Sequence, residues 1–379
     1  MIEADMSTDV QEREELRSLL RSFLLKYSPE PAVRDAMESR NGYDPDVWQL
    51  CCDELELPSL IVPTMYGGMG YGWRELGIVL QEMGARVHPG PFLSTVFATT
   101  ALLRLCSEQA CTALLPDIAT GGSLIAFAAA HPELPWAAGN VLDCIHADDT
   151  DGFSVSGTLD LVLDAHVADK LIVLTAVQGR DVVLLVNAGD EDVNVTPLLG
   201  MDQTRRFSKV DLTNASAQEI TSSSLAADAV GRFFASITAA LSAEQLGGAE
   251  EAFKITLDYL RTRVQFGRAI GSFQAVKHRC ADMALAIENA RVACESALDA
   301  VDRQSTDLVL RAHAAAALCS QAYMTVAREM MQLHGGVGFT WEHCAHLYLK
   351  RAKTSQVMLG IPAFHRRLVG RELGLVVGL

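Results

Sequence analysis

Between Tyr259 and Gln274 the chain reads Tyr-Leu-Arg-Thr-Arg-Val-Gln-Phe-Gly-Arg-Ala-Ile-Gly-Ser-Phe-Gln. Arg261, Arg263 and Arg268 gather at a predicted helix end beside Gly267 and Gly271, and Gln265, Phe266 and Gln274 lie among them. Guanidinium forks bind phosphate oxygens in pairs, and glycine lets a ligand approach the backbone closely. The segment suits an anion and a heterocycle. It equally suits a helix hairpin whose arginines cap carbonyls at a helix C-terminus. A second segment, Gln332-Leu333-His334-Gly335-Gly336-Val337-Gly338, places three glycines after a long predicted helix. Taken alone, a glycine-rich loop is a weak signal.

Neighbouring residues invite other chemistry. His343 and His346 share an i, i+3 spacing that metal ligands use, and His334 precedes them. The expectation is that all three are surface or interface histidines and that no metal is bound. Lys350, Arg351 and Lys353 form a basic cluster that would meet the phosphates of a ligand, or complement a helix C-terminus. Trp341 is expected to pack rather than to stack on a cofactor. The nine cysteines form no CxxC pair, so they are expected to be reduced, small apolar groups.

The elements that must position these residues fall into three textures. Residues 1–122 are expected to form a helical domain. Leu16, Leu19, Leu20, Phe23 and Leu24 recur at helical spacing, and Asp44 before Pro45 suits an N-cap. Pro63 to Gly72 is a glycine-rich loop, and His88-Pro89-Gly90-Pro91 breaks the helix that follows it. Residues 123–226 carry short β-rich runs at Leu124–Ala130, Phe153–Ser156, Lys170–Thr175 and Val182–Val186, with turns such as Asp149-Thr150-Asp151-Gly152. They are expected to form a small antiparallel barrel or sandwich. Residues 227–379 are expected to hold long Ala- and Leu-rich helices over about 227–263, 273–303 and 307–333, far beyond the average of about 11–12 residues. A bundle with an oligomer interface follows. The fold class expected is α+β, mostly α.

Bulk properties exclude several classes. No apolar run reaches the roughly 18 residues of a membrane span, and the acidic start lacks the basic-then-apolar pattern of a secretory signal. A cytoplasmic location is expected. A net charge of −16 argues against nucleic acid. The charge is uneven: residues 1–226 carry 14 Lys+Arg and 33 Asp+Glu, net −19, whereas residues 227–379 carry 17 and 14, net +3. An anionic small molecule would be drawn to the C-terminal part.

Together the motifs resemble the acyl-CoA dehydrogenase family. Its Y-x-x-x-R-x-Q-F-G-x-x-I-x-x-F-Q run matches Tyr259, Arg263, Gln265, Phe266, Gly267, Ile270, Phe273 and Gln274. Its Q-x-x-G-G-x-G run matches Gln332, Gly335, Gly336 and Gly338, and Pro63 to Gly70 is similar to its P-x-x-Y-G-G-x-G loop. Gly157-Thr158 and Asp164-Ala165 sit where its flavin-facing strand would be. The resemblance implies an N-terminal helical domain, a small middle β domain and a C-terminal helical bundle. It implies FAD, with Arg263, Gln265, Phe266, Gln274, Gln332, Gly335 and Gly336 holding the ADP half of a neighbouring subunit's cofactor. It also implies an acyl-CoA thioester substrate, of fatty-acid or sterol side-chain type, and electron-transfer flavoprotein or a similar acceptor.

The departures are specific. The family removes the thioester α-proton with a Glu at one of two positions, which ungapped counting places at Leu359 and Val264; neither accepts a proton. An Asp and an Arg near the acyl-CoA become Ala235 and Thr238. The Thr-Glu-Pro and Trp-Ile-Thr flavin strands become Ala130-His131-Pro132 and Leu161-Val162-Leu163. Three readings follow. The chain is the base-lacking subunit of a heteromeric acyl-CoA dehydrogenase; or it uses another carboxylate, such as Asp164, Glu342 or Asp258; or its flavin does other chemistry. Losing a general base removes about 10²–10⁴-fold in rate, which favours the first.

Overall fold

The structure, a computed structural model, describes residues 2–137, 139–146 and 152–375, with side chains from residue 10 onward. In chain order the helices are α1 (Ile2–Tyr27), α2 (Glu30–Glu38), α3 (Pro45–Asp53), α4 (Trp73–Ala85), α5 (Phe92–Leu105) and α6 (Glu108–Ala119). Seven strands follow: β1 (Ile125–Ala130), β2 (Val141–His146), β3 (Gly152–Leu163), β4 (Lys170–Val177), β5 (Arg180–Asn187), β6 (Val193–Leu198) and β7 (Phe207–Glu219). Then come α7 (Ala229–Thr262), the short strands β8 (Val264–Gln265) and β9 (Arg268–Ala269), α8 (Gln274–Asp302), α9 (Leu308–His334), α10 (Ala345–Met358) and α11 (Pro362–Glu372). The α+β, mostly α class is borne out.

Contacts divide the chain into two compact units that interleave along the sequence. One unit comprises Met1–Asp35, Trp73–His88 and Thr238–Leu379; the other comprises Ala36–Gly72 and Pro89–Ile237.

In the first unit α7 crosses α4 at backbone contact. A Cβ on Gly247 would lie 1.9 Å from the Gln81 carbonyl oxygen, and one on Gly84 would lie 2.1 Å from that of Glu244. No side chain fits between two helices so close, so glycine is required on both. Asp302, at the end of α8, caps α4 by accepting hydrogen bonds from the Trp73 and Arg74 amides. Arg17 and Arg21 of α1 both bond the buried Glu82 carboxylate of α4. Ala290, Cys294 and Ala297 of α8 and Ala315, Cys319 and Ala322 of α9 are buried, and such small side chains let two long helices approach closely.

In the second unit one seven-stranded sheet runs β1-β4-β5-β7-β3-β2, with β6 on β7. The expected antiparallel barrel needs one correction: β1 and β4 pair in parallel, Ile125 opposite Lys170. The fully buried β1 lies against the apolar helix α5, which covers the sheet at that end. Strands β2, β6 and β7 did not stand out in the sequence, because their apolar positions are small, interrupted or at a sheet edge. The Asp149-Thr150-Asp151 turn lies outside the described residues. Asp44 does cap α3, accepting from the Asp46 and Val47 amides, with Pro45 in the first turn.

Candidate cofactor-binding surface

The two glycine-bearing motifs meet at one end of the first unit. α7 ends at Thr262, and the chain folds into the β8–β9 hairpin, whose two-residue turn is Phe266-Gly267. Both turn residues are left-handed, at φ 54° and 77°, as a tight hairpin of the primed type requires. A phenylalanine in that conformation is strained, and its ring stands 90% exposed at the tip. α9 ends beside it, where Gly335 at φ 61° turns the chain. Tyr259 joins the two ends: its ring stacks on that of His334, centroids 4.3 Å apart and planes 25° apart.

The side chains named from sequence all face outward here. Arg263, Gln265, Phe266, Gln274, Gln332, Gly335 and Gly336 are exposed. Among the described residues the Arg263 guanidinium has no ion-pair partner, while the neighbouring Arg261 bonds Asp258 and Arg268 lies over the Phe273 ring at 3.9 Å. The capping of helix carbonyls weighed for these arginines is therefore not the role of Arg263. Gln265 donates only to its neighbour's carbonyl, Val264 O, and Gln274 bonds His278 one turn on. A Cβ on Gly335 or Gly336 would meet nothing within 4 Å, so the loop is open to an approaching group. An unpaired cation, an exposed aromatic face and an open glycine backbone fit the phosphate-and-heterocycle half of a dinucleotide.

Three expectations are corrected. His334 and His346 are not surface groups, being 3% and 8% exposed, and burial holds both imidazoles below their ordinary pKa. Arg351 does not belong to a basic cluster open to phosphates. It is buried, bonds Glu244 at 2.9 Å and reaches the Val87 and His88 carbonyls. Trp341 is half exposed rather than packed away; its ring stacks on His346 and carries Arg34 and Lys350 on its faces. Among the described residues no cluster of histidine, cysteine or acidic groups could hold a metal ion, and all nine cysteines are free thiols.

The two positions that ungapped counting assigns to a base hold no acid. Leu359 is 3% exposed at the end of α10, and Val264 is an exposed strand residue. Of the alternatives, Asp258 pairs with Arg261 on the surface. Glu342 is exposed, and backbone and Thr340 hydrogen bonds hold its carboxyl below the ordinary value, the wrong direction for a base that must take up a proton near neutrality. In the second unit Asp164 accepts a hydrogen bond from the buried Ser94 hydroxyl at 2.7 Å. His131 turns into its own unit to bond Asp181, Val162 and Leu163 are core residues, and Leu161 stands half exposed at φ 57°. Hydroxyls at those strand positions are absent, as the sequence indicated.

Two family models match the chain: Acyl-CoA dehydrogenase, N-terminal domain, over residues 10–122, and Acyl-CoA dehydrogenase, C-terminal domain, over residues 229–374. Acyl-CoA dehydrogenase IpdE2 of Mycobacterium tuberculosis is 34% identical over 355 residues, covering 94% of this chain and 95% of the relative. Among solved structures, the ChsE4-ChsE5 complex of Mycobacterium tuberculosis is 26% identical at TM-score 0.87, covering 97% and 98% of the two chains. The Tcur3481-Tcur3483 steroid ACAD, as its G363A variant, is 26% identical at the same TM-score, covering 96% and 98%. With both terminal domains matched and a relative of this similarity aligned over nearly its whole length, the chain belongs to the acyl-CoA dehydrogenase family.

Proposed function

We propose that this chain is one subunit of a hetero-oligomeric, FAD-dependent acyl-CoA dehydrogenase, and that it supplies the surface holding the ADP half of its partner's cofactor. The family consists of FAD-dependent flavoproteins. When bound, FAD accepts the hydride from Cβ of the acyl thioester. The observation that carries the reading is an asymmetry. Arg263, Phe266, Gln332, Gly335 and Gly336 are all exposed, as a surface for a neighbour's cofactor would be, while the positions that ungapped counting assigns to a base hold Leu359 and Val264.

In this reading each residue has a limited task. Arg263 offers two parallel N–H donors to a pyrophosphate. Gly335 and Gly336 let the ligand lie against the backbone. Phe266, held out on its strained turn, presents a flat apolar face, and Gln265, Gln274 and Gln332 present amides at the rim. Removal of the α-proton falls to the partner, which must bring a carboxylate. Two of the similar structures are two-protein assemblies by name, ChsE4-ChsE5 and Tcur3481-Tcur3483, which supports a paired arrangement. The second of these, Tcur3481-Tcur3483, is described as a steroid ACAD, which supports a sterol side-chain thioester as the substrate class proposed here.

A second reading, in which the chain binds FAD without serving catalysis, rests on the same missing base. The test is to purify the chain alone and with a base-bearing relative, record the visible flavin spectrum, and add acyl-CoA. Flavin bleaching only in the mixed assembly supports the proposal. Bleaching by the chain alone, or a mixed assembly that stays coloured, rejects it.

A further inference from the structure

The second unit holds two neighbouring arginines, Arg104 in the last turn of α5 and Arg232 in the first turn of α7. The backbone brings these helix ends together. After β7 the chain crosses the end of α5 in a single antiparallel bridge, Cys106 opposite Thr221. The Ser107 amide donates to the Ile220 carbonyl and the Ser222 amide to the Leu105 carbonyl, both at 2.9 Å. A short loop later α7 begins, and Phe233 seats it on the sheet, its ring centroid 4.7 Å from that of Phe127 in β1. An arginine in a last turn ordinarily serves the free carbonyls of its own helix. Here they are taken: the Leu102 carbonyl accepts from the Cys106 amide and the Cys111 thiol, and the Leu105 carbonyl accepts from Ser222. Among the described residues the half-buried Arg104 guanidinium makes no hydrogen bond and no ion pair. Burial, and then the charge of Arg232, push its pKa below the ordinary value, and no carboxylate acts the other way. Its nitrogens still reach solvent. A Cβ on Gly231, beside Arg232, would meet nothing within 4 Å, so the first turn of α7 is open to an approaching group. A half-buried cation beside a like charge is unfavourable until an anion joins the two.

We infer that Arg104 and Arg232 form an anion site within the second unit, and that it takes a phosphate dianion. The charge count selects the ligand. A carboxylate neutralises one of the two guanidiniums. A phosphate dianion neutralises both and offers three acceptor oxygens to their N–H forks. The free amides at the start of the 34-residue helix α7 add partial positive charge at Arg232. Two sources share this chemistry, free inorganic phosphate and the 3′-phosphate of coenzyme A. The inference is independent of the cofactor surface, since neither arginine belongs to it.

The test compares the full-length chain with Arg104→Met, which keeps an apolar stem and removes the charge, in chloride buffer of fixed ionic strength. Without phosphate, Arg104→Met should melt at or above the temperature of the unmodified protein, because a repulsion is gone. An arginine held by partners within the fold gives the opposite sign, so a variant that melts lower or fails to fold overturns the inference. Calorimetric titration with inorganic phosphate should show Arg104→Met binding about ten- to a hundredfold more weakly, the range of one charge-assisted contact. Coenzyme A and 3′-dephospho-coenzyme A separate the sources. For a 3′-phosphate ligand, coenzyme A binds the unmodified protein more tightly than its dephospho form, by a similar factor, and Arg104→Met erases the difference. For free phosphate, the two coenzyme forms bind alike while inorganic phosphate still distinguishes the two proteins. Equal binding of inorganic phosphate and of coenzyme A to both proteins overturns the inference and leaves the FAD reading standing.

Discussion

The ring of Tyr259 stacks on the ring of His334, with centroids 4.3 Å apart, and so fastens the end of α7 to the end of α9. Each ring belongs to a different motif. Seventy-odd residues of sequence separate them, and the stack is what turns two weak motifs into one surface.

The first prediction concerns Arg263. Its guanidinium has no ion-pair partner among the described residues, so removing it breaks no internal bridge. A charge-assisted hydrogen bond to phosphate contributes about 1.5–3 kcal/mol. Arg263→Ala should weaken FAD binding about ten- to a hundredfold with an unchanged melting temperature. Titration of the stripped protein with FAD checks this, and an unchanged affinity would remove Arg263 from the site.

The second concerns the α4–α7 crossing. A Cβ at position 247 would lie 1.9 Å from the Gln81 carbonyl oxygen, and the obstacle is backbone rather than a movable side chain. Gly247→Ala should destabilise by about 1–3 kcal/mol, as overpacked cores do. Urea unfolding of the variant would show a midpoint shifted well below that of the unmodified protein; coincident curves would contradict the crossing geometry.

The third is acid sensitivity. Burial lowers the pKa of His88 to about 4, of His313 to about 3 and of His365 to about 4, from 6.5. His313 and His365 also share a hydrogen bond at 3.0 Å, so they titrate as a pair. With folded values below unfolded ones, the unfolded chain binds more protons. Stability is therefore complete above about pH 6.5 and falls as pH drops toward 4 and then 3. Three such groups give a slope of up to about 4 kcal/mol per pH unit in the middle of that window. Urea midpoints measured from pH 7 to pH 4.5 should fall steeply. A flat profile would show that these rings are solvated.

Much of this was legible beforehand, for reasons that can be named. The long helices α7, α8 and α9 announce themselves because a helical apolar stripe sustained over more than 25 residues has no rival interpretation. The Asp44 cap was legible because capping is local. Strand β7 was not: its buried alternate positions include Ser208, Ala215 and Ala217, too small and polar to signal a core face. Edge strand β2 hides for the opposite reason, since Val141 and Ile145 are apolar yet exposed. Arg351 looked like part of a basic cluster because its partner, Glu244, lies 107 residues away. His334 looked like a surface residue because burial at a helix end depends on a tyrosine from another helix.

The fourth prediction is negative. If Leu359 and Val264 stand at the base positions, as proposed, the chain free of any partner should show little or no dehydrogenation of acyl-CoA thioesters. Stopped-flow recording of flavin absorbance on mixing with acyl-CoA checks this. Fast bleaching in a homogeneous, partner-free preparation would return Asp164, Glu342 and Asp258 as targets for mutation.

The central claim is the division of labour between subunits, and stoichiometry tests it most directly. The exposed apolar residues Leu285 and Val292 on α8, with Phe266 on the hairpin, leave the first unit with a face suited to another chain. Co-expression with a base-bearing acyl-CoA dehydrogenase chain, followed by native mass spectrometry, counts chains and flavins in one experiment. The account predicts a heterotetramer carrying two FAD, active on acyl-CoA. A homotetramer of this chain with four FAD and full activity would contradict it.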